Sequence, residues 1–234
     1  MFQLARYPRF FWRLLRRPHR VRLHGVWLEL PDDLPEAVVR GIYREGYERG
    51  EVRCLAAALR AGDVVLEVGG GLGFLSTFCA LRLGSPAVHT YESNPMLIDG
   101  IRRTYALNNV SPILTNAVLG SGGRERPFFV ERNFSTSSLI RRSQQATEIT
   151  VPELDVKQVI GELRPTVVVM DIEGGEAELV PLVDWSGVRA LVIELHPDLL
   201  GADRTRAVTE VIARAGFAEN RRVSSTRKKL YVKR

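Results

Sequence analysis

Residues 64–73 read VVLEVGGGLG, an apolar run that closes on an acid and is followed at once by four glycines in five positions. Val64, Val65, Leu66 and Val68 are β-formers in a short continuous block, the pattern of a strand covered on both faces in a parallel sheet. Glu67 stands at the strand's carboxyl end. Without Cβ atoms, Gly69, Gly71 and Gly73 let the backbone turn sharply and come close to a ligand. The small and apolar residues 74–83 then read as a helix packing back on the sheet.

A strand, a glycine loop and a helix in this order serve more than one cofactor. A dinucleotide site asks for G-x-G-x-x-G/A, with the pyrophosphate on the helix N-terminus. Here Gly69 and Gly71 lead to Phe74 in the third slot, and Gly71 and Gly73 lead to Ser76, so neither register fits. The pattern E-x-G-x-G-x-G from Glu67 to Gly73 fits throughout. It resembles the first motif of class I S-adenosylmethionine-dependent methyltransferases, in which the acid lies near the cationic methionyl amine. A diphosphate would be repelled by an acid in that place.

The rest of the chain repeats the strand-then-acid theme. Residues 87–92, AVHTYE, end on Glu92, 19 residues after Gly73, where a doubly wound sheet places an acid on the ribose hydroxyls of a nucleoside. Residues 112–119 read as the third strand, with Asn116 and Ala117 near its carboxyl end. The helix expected after it is missing: PFFV and EITV read as strands around a polar insertion that contains Ser135–Ser138. A helix is expected over 154–163. Residues 166–176, TVVVMDIEGGE, then bring Asp171 and Glu173 to the end of a buried strand, and residues 190–197, ALVIELHP, bring Glu194 and His196. All these groups fall on one rim of an open parallel sheet, the edge at which such folds bind ligands. Acids at strand ends also cap the next helix, and Glu176 needs no further role. A helix over 205–215, capped by Gly216, and two final strands with their turn at 224–229 complete the pattern.

The order EGYERGE, VVLEVGGGLGFLS, HTYESNP, NAVLG, FSTSSL, VPELD, MDIEGGEAELV and VIELHP, over about residues 41–200, resembles the FkbM-type methyltransferases. The resemblance implies a class I fold: α/β, a doubly wound, Rossmann-like, mostly parallel sheet of about seven strands with a terminal antiparallel strand. It implies S-adenosylmethionine as cofactor, held by Glu67, Gly69, Gly71, Gly73, Glu92, Asn116, Ala117 and Ser138, with Asn116 and Ala117 on adenine. It also implies methyl transfer to oxygen, on a hydroxyl of a sugar, glycan or natural product. The sequence departs from the family at Gly70 and Gly71, where Gly-Ala-Asn is common, and at Met170, where lysine is frequent.

Direct displacement on the sulfonium methyl calls for alignment and proton removal. His196 is the first candidate base, because an unperturbed imidazole titrates near neutrality, with Asp171 orienting it or acting as base itself. Glu173 and Glu194 complete the catalytic set. A divalent metal such as Mg²⁺ held by Asp171, Glu173 and Glu194 is the less favoured use of the same acids. Nucleic-acid methylation is the runner-up activity, although strand four ends in Asp-Ile-Glu-Gly and not in the N/D-P-P-Y/F segment that receives a flipped base. A non-catalytic cofactor-binding or membrane-docked assembly module is the alternative from a different class.

Composition sets the outer bounds. The 234 residues suit one core, expected as a cofactor-binding methyltransferase domain over 51–234 preceded by a basic amphipathic extension and lid over 1–50. Cys54 and Cys79 lack metal or redox spacing, which points to a reducing cytoplasm. No apolar run reaches membrane-spanning length, and no secretory leader is expected from the N-terminal sequence. The net charge of +6 conceals a division: residues 1–24 carry seven arginines and no acids, residues 221–234 carry seven Lys/Arg and no acids, and the middle is left with eight net negative charges. Such a distribution does not make a continuous nucleic-acid groove. Leu4, Tyr7, Phe11, Leu14 and Leu15 fall at helical spacing among the N-terminal arginines, with the helix expected from about Arg9. An amphipathic helix of this kind lies on an anionic bilayer or docks on protein.

Overall fold

The computed structural model describes residues 6–32, 34–131 and 137–233; Leu4, Ser135 and Thr136 lie outside them. Helix α1 (Arg6–Arg16) leads to a hairpin, β1 (Arg20–Leu23) and β2 (Val26–Glu29), and then to α2 (Glu36–Tyr43) and α3 (Arg49–Ala58). There follow β3 (Val65–Val68), α4 (Phe74–Leu83), β4 (Val88–Glu92), α5 (Ile98–Leu107) and β5 (Ile113–Asn116). A second layer comes from β6 (Val118–Gly120), β7 (Glu125–Val130) and β8 (Thr147–Asp155). The chain returns through α6 (Val156–Leu163), β9 (Val167–Met170), α7 (Glu176–Leu179), β10 (Ala190–Glu194), α8 (Pro197–Arg214), β11 (Phe217–Glu219) and β12 (Lys228–Lys233).

Seven strands form the main sheet in the order β11-β12-β10-β9-β3-β4-β5. The pairs from β10 through β5 are parallel, and β12 runs antiparallel between β10 and β11. Alternation along each strand sorts the core. Val65, Val167, Val169, Ala190 and Val192 face one buried cluster with α3, α4 and the hairpin, whereas Leu66, Val68, Val168, Met170, Leu191 and Ile193 face the other with α6 and α8. Full burial of each Val, Leu, Ile or Met among them contributes about 1.5–3 kcal/mol. The N-terminal hairpin shares the first cluster through Val21, Leu23, Val26 and Leu28. Its two-residue loop, His24-Gly25, has positive φ at both positions, the turn whose twist suits flanking strands.

Several boundaries differ from the sequence reading, each for a local reason. Helix α1 starts at Arg6, not Arg9, because Pro8 falls in the first turn, where a missing N–H costs nothing. The expected third strand is two: β5 pairs with β4 as far as Asn116 opposite Glu92, Ala117 N–H donates to Glu92 O (3.1 Å), and the chain then leaves the sheet to pair β6 with β8. Residues 154 and 155 belong to β8, and Asp155 caps α6 by accepting from Lys157 N–H (2.8 Å). Helix α8 begins at Pro197, well before residue 205, and bends at Gly201 (φ 74°). The two strands in place of a helix over 126–151 are present as the antiparallel pair β7 and β8. Among the described residues no helix is long and apolar enough to cross a membrane.

Candidate active site

The chain runs outward from β3 through β4 to β5, then crosses to β9 on the other flank of β3, so the carboxyl ends of β3 and β9 open on the crevice between the two halves. A cavity occupies that place. Gly69, Gly70 and Gly71 form its floor, Glu92, Ser93 and Asn94 one wall, Asp171, Ile172 and Glu173 another, with Tyr47 and Glu48 over it. Val118–Gly120, Phe128 and Ser137–Leu139 line the side toward the second layer.

The glycine loop is fitted to its neighbours at two points. Gly69 has φ 93°, and a Cβ there would lie 1.9 Å from the Asp171 carbonyl oxygen. Gly73 has φ 73°, and a Cβ there would lie 2.9 Å from Ile101 of α5. Gly73 therefore serves helix packing below the loop and, unlike Gly69 and Gly71, does not line the cavity.

Glu92 clamps the loop. Its Oε2 accepts from Gly70 N–H (2.8 Å) and Gly71 N–H (3.0 Å), and its Oε1 from Asn94 N–H (2.7 Å). Burial raises its pKa, against the pull of those backbone donors. Glu67 is 1% exposed and accepts from Thr90 Oγ1 (2.8 Å), with Tyr105 Oη donating to Ser76 beside it (2.9 Å). Burial pushes the Glu67 carboxyl up to about 8 despite the hydrogen bonds from Thr90 and Ser76. Asn116 and Ala117 do not line the cavity: the Asn116 amide donates to Glu92 O (2.7 Å) and Ser93 O (3.2 Å), which ties β5 to the end of β4. Ser138 does line it, 3% exposed, with its hydroxyl donating to Ile140 O (3.0 Å).

Asp171, Glu173, Glu194 and His196 converge. His196, 1% exposed, holds Glu176 Oε1 at 2.6 Å through Nδ1, and its Nε2 lies 3.4 Å from Glu173, 3.6 Å from Asp171 and 3.8 Å from Glu194. Burial alone would depress the imidazole, but the hydrogen bonds to Glu173 and Glu176 outweigh it and raise the pKa to about 10. The surrounding carboxylates thus favour the imidazolium over the free base that its ordinary pKa suggests. The Asp171 carboxyl is raised as well, but by burial first and then by Glu194, which lift it to about 8. Its Oδ1 and the Oε2 of Glu48 are buried and accept no hydrogen bond among the described residues. Glu173 is held low, since His196 and Arg142 outweigh its burial; Arg142 Nη2 reaches its carboxylate at 2.5 Å. Glu173 also has φ 52°, a left-handed conformation that non-glycine residues adopt mostly where surrounding structure enforces it.

Glu194 stands apart from the expected metal set. Its carboxylate is engaged by Lys228 (2.8 Å) and Arg227 (3.2 Å). The ligand atoms that fall within 4.8 Å of one another belong to Asp171, Glu173 and His196.

Glu176, Arg142 and Lys228 escaped the sequence reading of the site, whereas Glu48 falls in the segment expected as a lid. Glu176, fully buried, fixes the His196 ring, and the D-x-E-G-G-E spacing was its only signal. Glu48 overhangs the cavity at the N-terminus of α3. Arg142 comes from the insertion. Lys228 pairs with both Glu51 and Glu194, because the antiparallel register sets Glu194 opposite Lys228.

A seven-stranded sheet in this order, with one antiparallel strand inserted near its edge and a glycine loop at the switch in strand order, is the architecture of the class I methyltransferases. The Methyltransferase FkbM domain matches residues 63–218, and the chain belongs to that family. Among solved structures, the tRNA (uracil-54, C5)-methyltransferase of Pyrococcus abyssi in complex with S-adenosyl-L-homocysteine is similar in fold, with 15% identity, a TM-score of 0.50, and 91% of this chain covering 42% of that one. A methyltransferase from Pyrococcus furiosus aligns over 98% of both chains at 14% identity and a TM-score of 0.47. Precorrin-6y C5,15-methyltransferase of Geobacter metallireducens GS-15 aligns over 74% of this chain and 72% of its own at 15% identity and a TM-score of 0.45. No curated protein matches the sequence at a significant level.

Proposed function

We propose that the protein transfers a methyl group from S-adenosylmethionine to a hydroxyl of a sugar, glycan or natural-product acceptor. The observation that carries this reading is the meeting of Asp171 with the glycine loop: the residue packs on Gly69 and lines the same cavity as Glu92. Methyl donor and acceptor oxygen would then be aligned in one enclosed space, where positioning supplies much of the rate. Asp171 is the base. A carboxyl lifted to about 8 is matched to a proton that becomes acidic only as the C–O bond forms. His196, held cationic between Glu173 and Glu176, positions Asp171 and does not itself take the proton.

Calorimetry with S-adenosylhomocysteine and with NAD in parallel tests the cofactor; binding of NAD alone would overturn the assignment. Mass spectrometry over a panel of polyhydroxylated acceptors tests the transfer. Asp171→Asn should lower kcat about 100- to 10,000-fold with S-adenosylhomocysteine affinity retained. Because the base acts deprotonated, the wild-type rate should rise as pH passes through about 8. Undiminished transfer by Asp171→Asn would sink the role given to it. The convergence of Asp171, Glu173 and His196 supports a second reading, a divalent cation that orients the acceptor. Loss of turnover in EDTA, restored by Mg²⁺, would favour it.

A further inference from the structure

Helix α1 is amphipathic twice over. One face docks on the domain: Phe10 and Leu14 pack against the first core cluster, Arg13 donates to Tyr43 O (3.1 Å) and pairs with Glu45 (3.2 Å), and the Arg44 guanidinium lies 5.0 Å over the Phe10 ring. The opposite face is apolar as well and faces water. Phe11 is 62% exposed, Trp12 57% and Leu15 83%. At 100° per residue these three fall within one third of the helix circumference, and Arg9 and Arg16, both exposed, border them on one side. Neither arginine forms an ion pair with another described residue. Arg17, Arg20 and Arg22, also exposed, follow in the chain, with Arg20 paired to Glu29 (3.7 Å).

We infer that this face is a docking surface for an anionic lipid bilayer, in which α1 lies along the interface with Phe11, Trp12 and Leu15 in the headgroup and acyl boundary. Charge selects the occupant. Arg9 and Arg16 flank the exposed apolar residues and α1 carries no acid, so two copies of this face brought together would set like charges against each other. A nucleic acid would satisfy the arginines but leave Leu15 and Phe11 in water. An anionic bilayer takes up both, arginine at the phosphates and the rings and aliphatic chain beneath them. The inference is independent of the reaction assigned to the cavity.

The test is co-sedimentation of the full chain with vesicles of phosphatidylcholine alone and of phosphatidylcholine with about one third phosphatidylglycerol. The chain should pellet with the anionic vesicles only, and about 1 M salt should release much of it, since screening then acts within ~3 Å. Replacing Arg9 and Arg16 by Gln should weaken binding about 25-fold, about fivefold for each charge. Phe11→Ser, Trp12→Ser and Leu15→Ser together should weaken it tenfold or more. If the triple variant loses its circular-dichroism signature, Trp12→Ser alone decides, since that ring is more than half exposed. Failure of the wild type to pellet with anionic vesicles, or equal binding by the serine variants, overturns the inference. So does a wild-type dimer in light scattering that the serine variants convert to monomer without any vesicle binding, which would assign the face to a second copy.

Discussion

Replacing Gly69 by alanine should harm the protein more than the same change two residues later, and the structure says by how much. Both positions have positive φ, 93° at Gly69 and 53° at Gly71, so a side chain at either costs about 1–2 kcal/mol of backbone strain. They differ in space. At Gly71 the nearest neighbour of a new Cβ is Tyr47 Oη at 3.7 Å, an ordinary contact, whereas at Gly69 it is the Asp171 carbonyl oxygen at 1.9 Å. That oxygen is backbone and cannot swing aside. The ends of β3 and β9 must separate by more than 1 Å, which adds about 1–3 kcal/mol as in other overpacked sites. Gly69→Ala should therefore lose about 2–5 kcal/mol and Gly71→Ala about 1–2. In urea unfolding, with a slope of about 3 kcal/mol per molar, the Gly69 variant's midpoint should fall by about 1 M and the Gly71 variant's by about 0.5 M. Calorimetry with S-adenosylhomocysteine should show the larger affinity loss at Gly69 also. A Gly69→Ala protein as stable as Gly71→Ala would refute the packing argument.

Two further changes test the frame around the cavity. Asp63, 5% exposed, accepts from Arg189 Nε (2.9 Å), Thr166 Oγ1 (2.8 Å) and Arg60 N–H (2.6 Å), so Asp63→Asn should cost about 3–5 kcal/mol in chemical denaturation by leaving Arg189 without its counter-charge. Burial would raise the Asp63 pKa, but Arg189 and Thr166 outweigh it and hold it low. Its contribution is thus complete above the unfolded value near ~3.9 and lost as pH falls through the folded one; the gap in melting temperature between wild type and variant should close in acid, and a gap unchanged at pH ~3 would contradict this. Glu92→Gln replaces one acceptor oxygen by a donor amide against Gly70, Gly71 and Asn94 N–H groups. It should weaken S-adenosylhomocysteine binding about tenfold or more, as expected for about 1–3 kcal/mol from unmet donors. Unaltered affinity would show that Glu92 does not set the loop.

Strands β3, β9 and β10 were readable because each is short, apolar and closed by an acid, and burial on both faces leaves no alternation to confuse the pattern. For the same reason the rim residues could be named before their geometry was known. What escaped depends on pairing between distant segments. Nothing local in residues 112–119 marks Ala117 as the point where the strand leaves one sheet for another; that is set by Glu92 O as the last acceptor and by β8 waiting beyond it. Lys228 reads as one cation in a basic tail until the β10–β12 register brings it to Glu194. His196 shows the limit for chemistry: its identity and place were legible, but its protonation depends on Glu176 and Glu173 folding around the ring.

The position of Lys228 also sets an order of events during synthesis. Glu51 and Glu194 precede it by 177 and 34 residues, and both lean on its ammonium. While the ribosome has delivered the chain only as far as β10, Glu48, Glu51, Asp171 and Glu194 would face one another without that cation, and burial of so many carboxylates is unfavourable. The strand that completes the acidic side of the cavity is thus the last one in the chain: without β12 between β10 and β11, these carboxylates would lack the cation that Glu51 and Glu194 share.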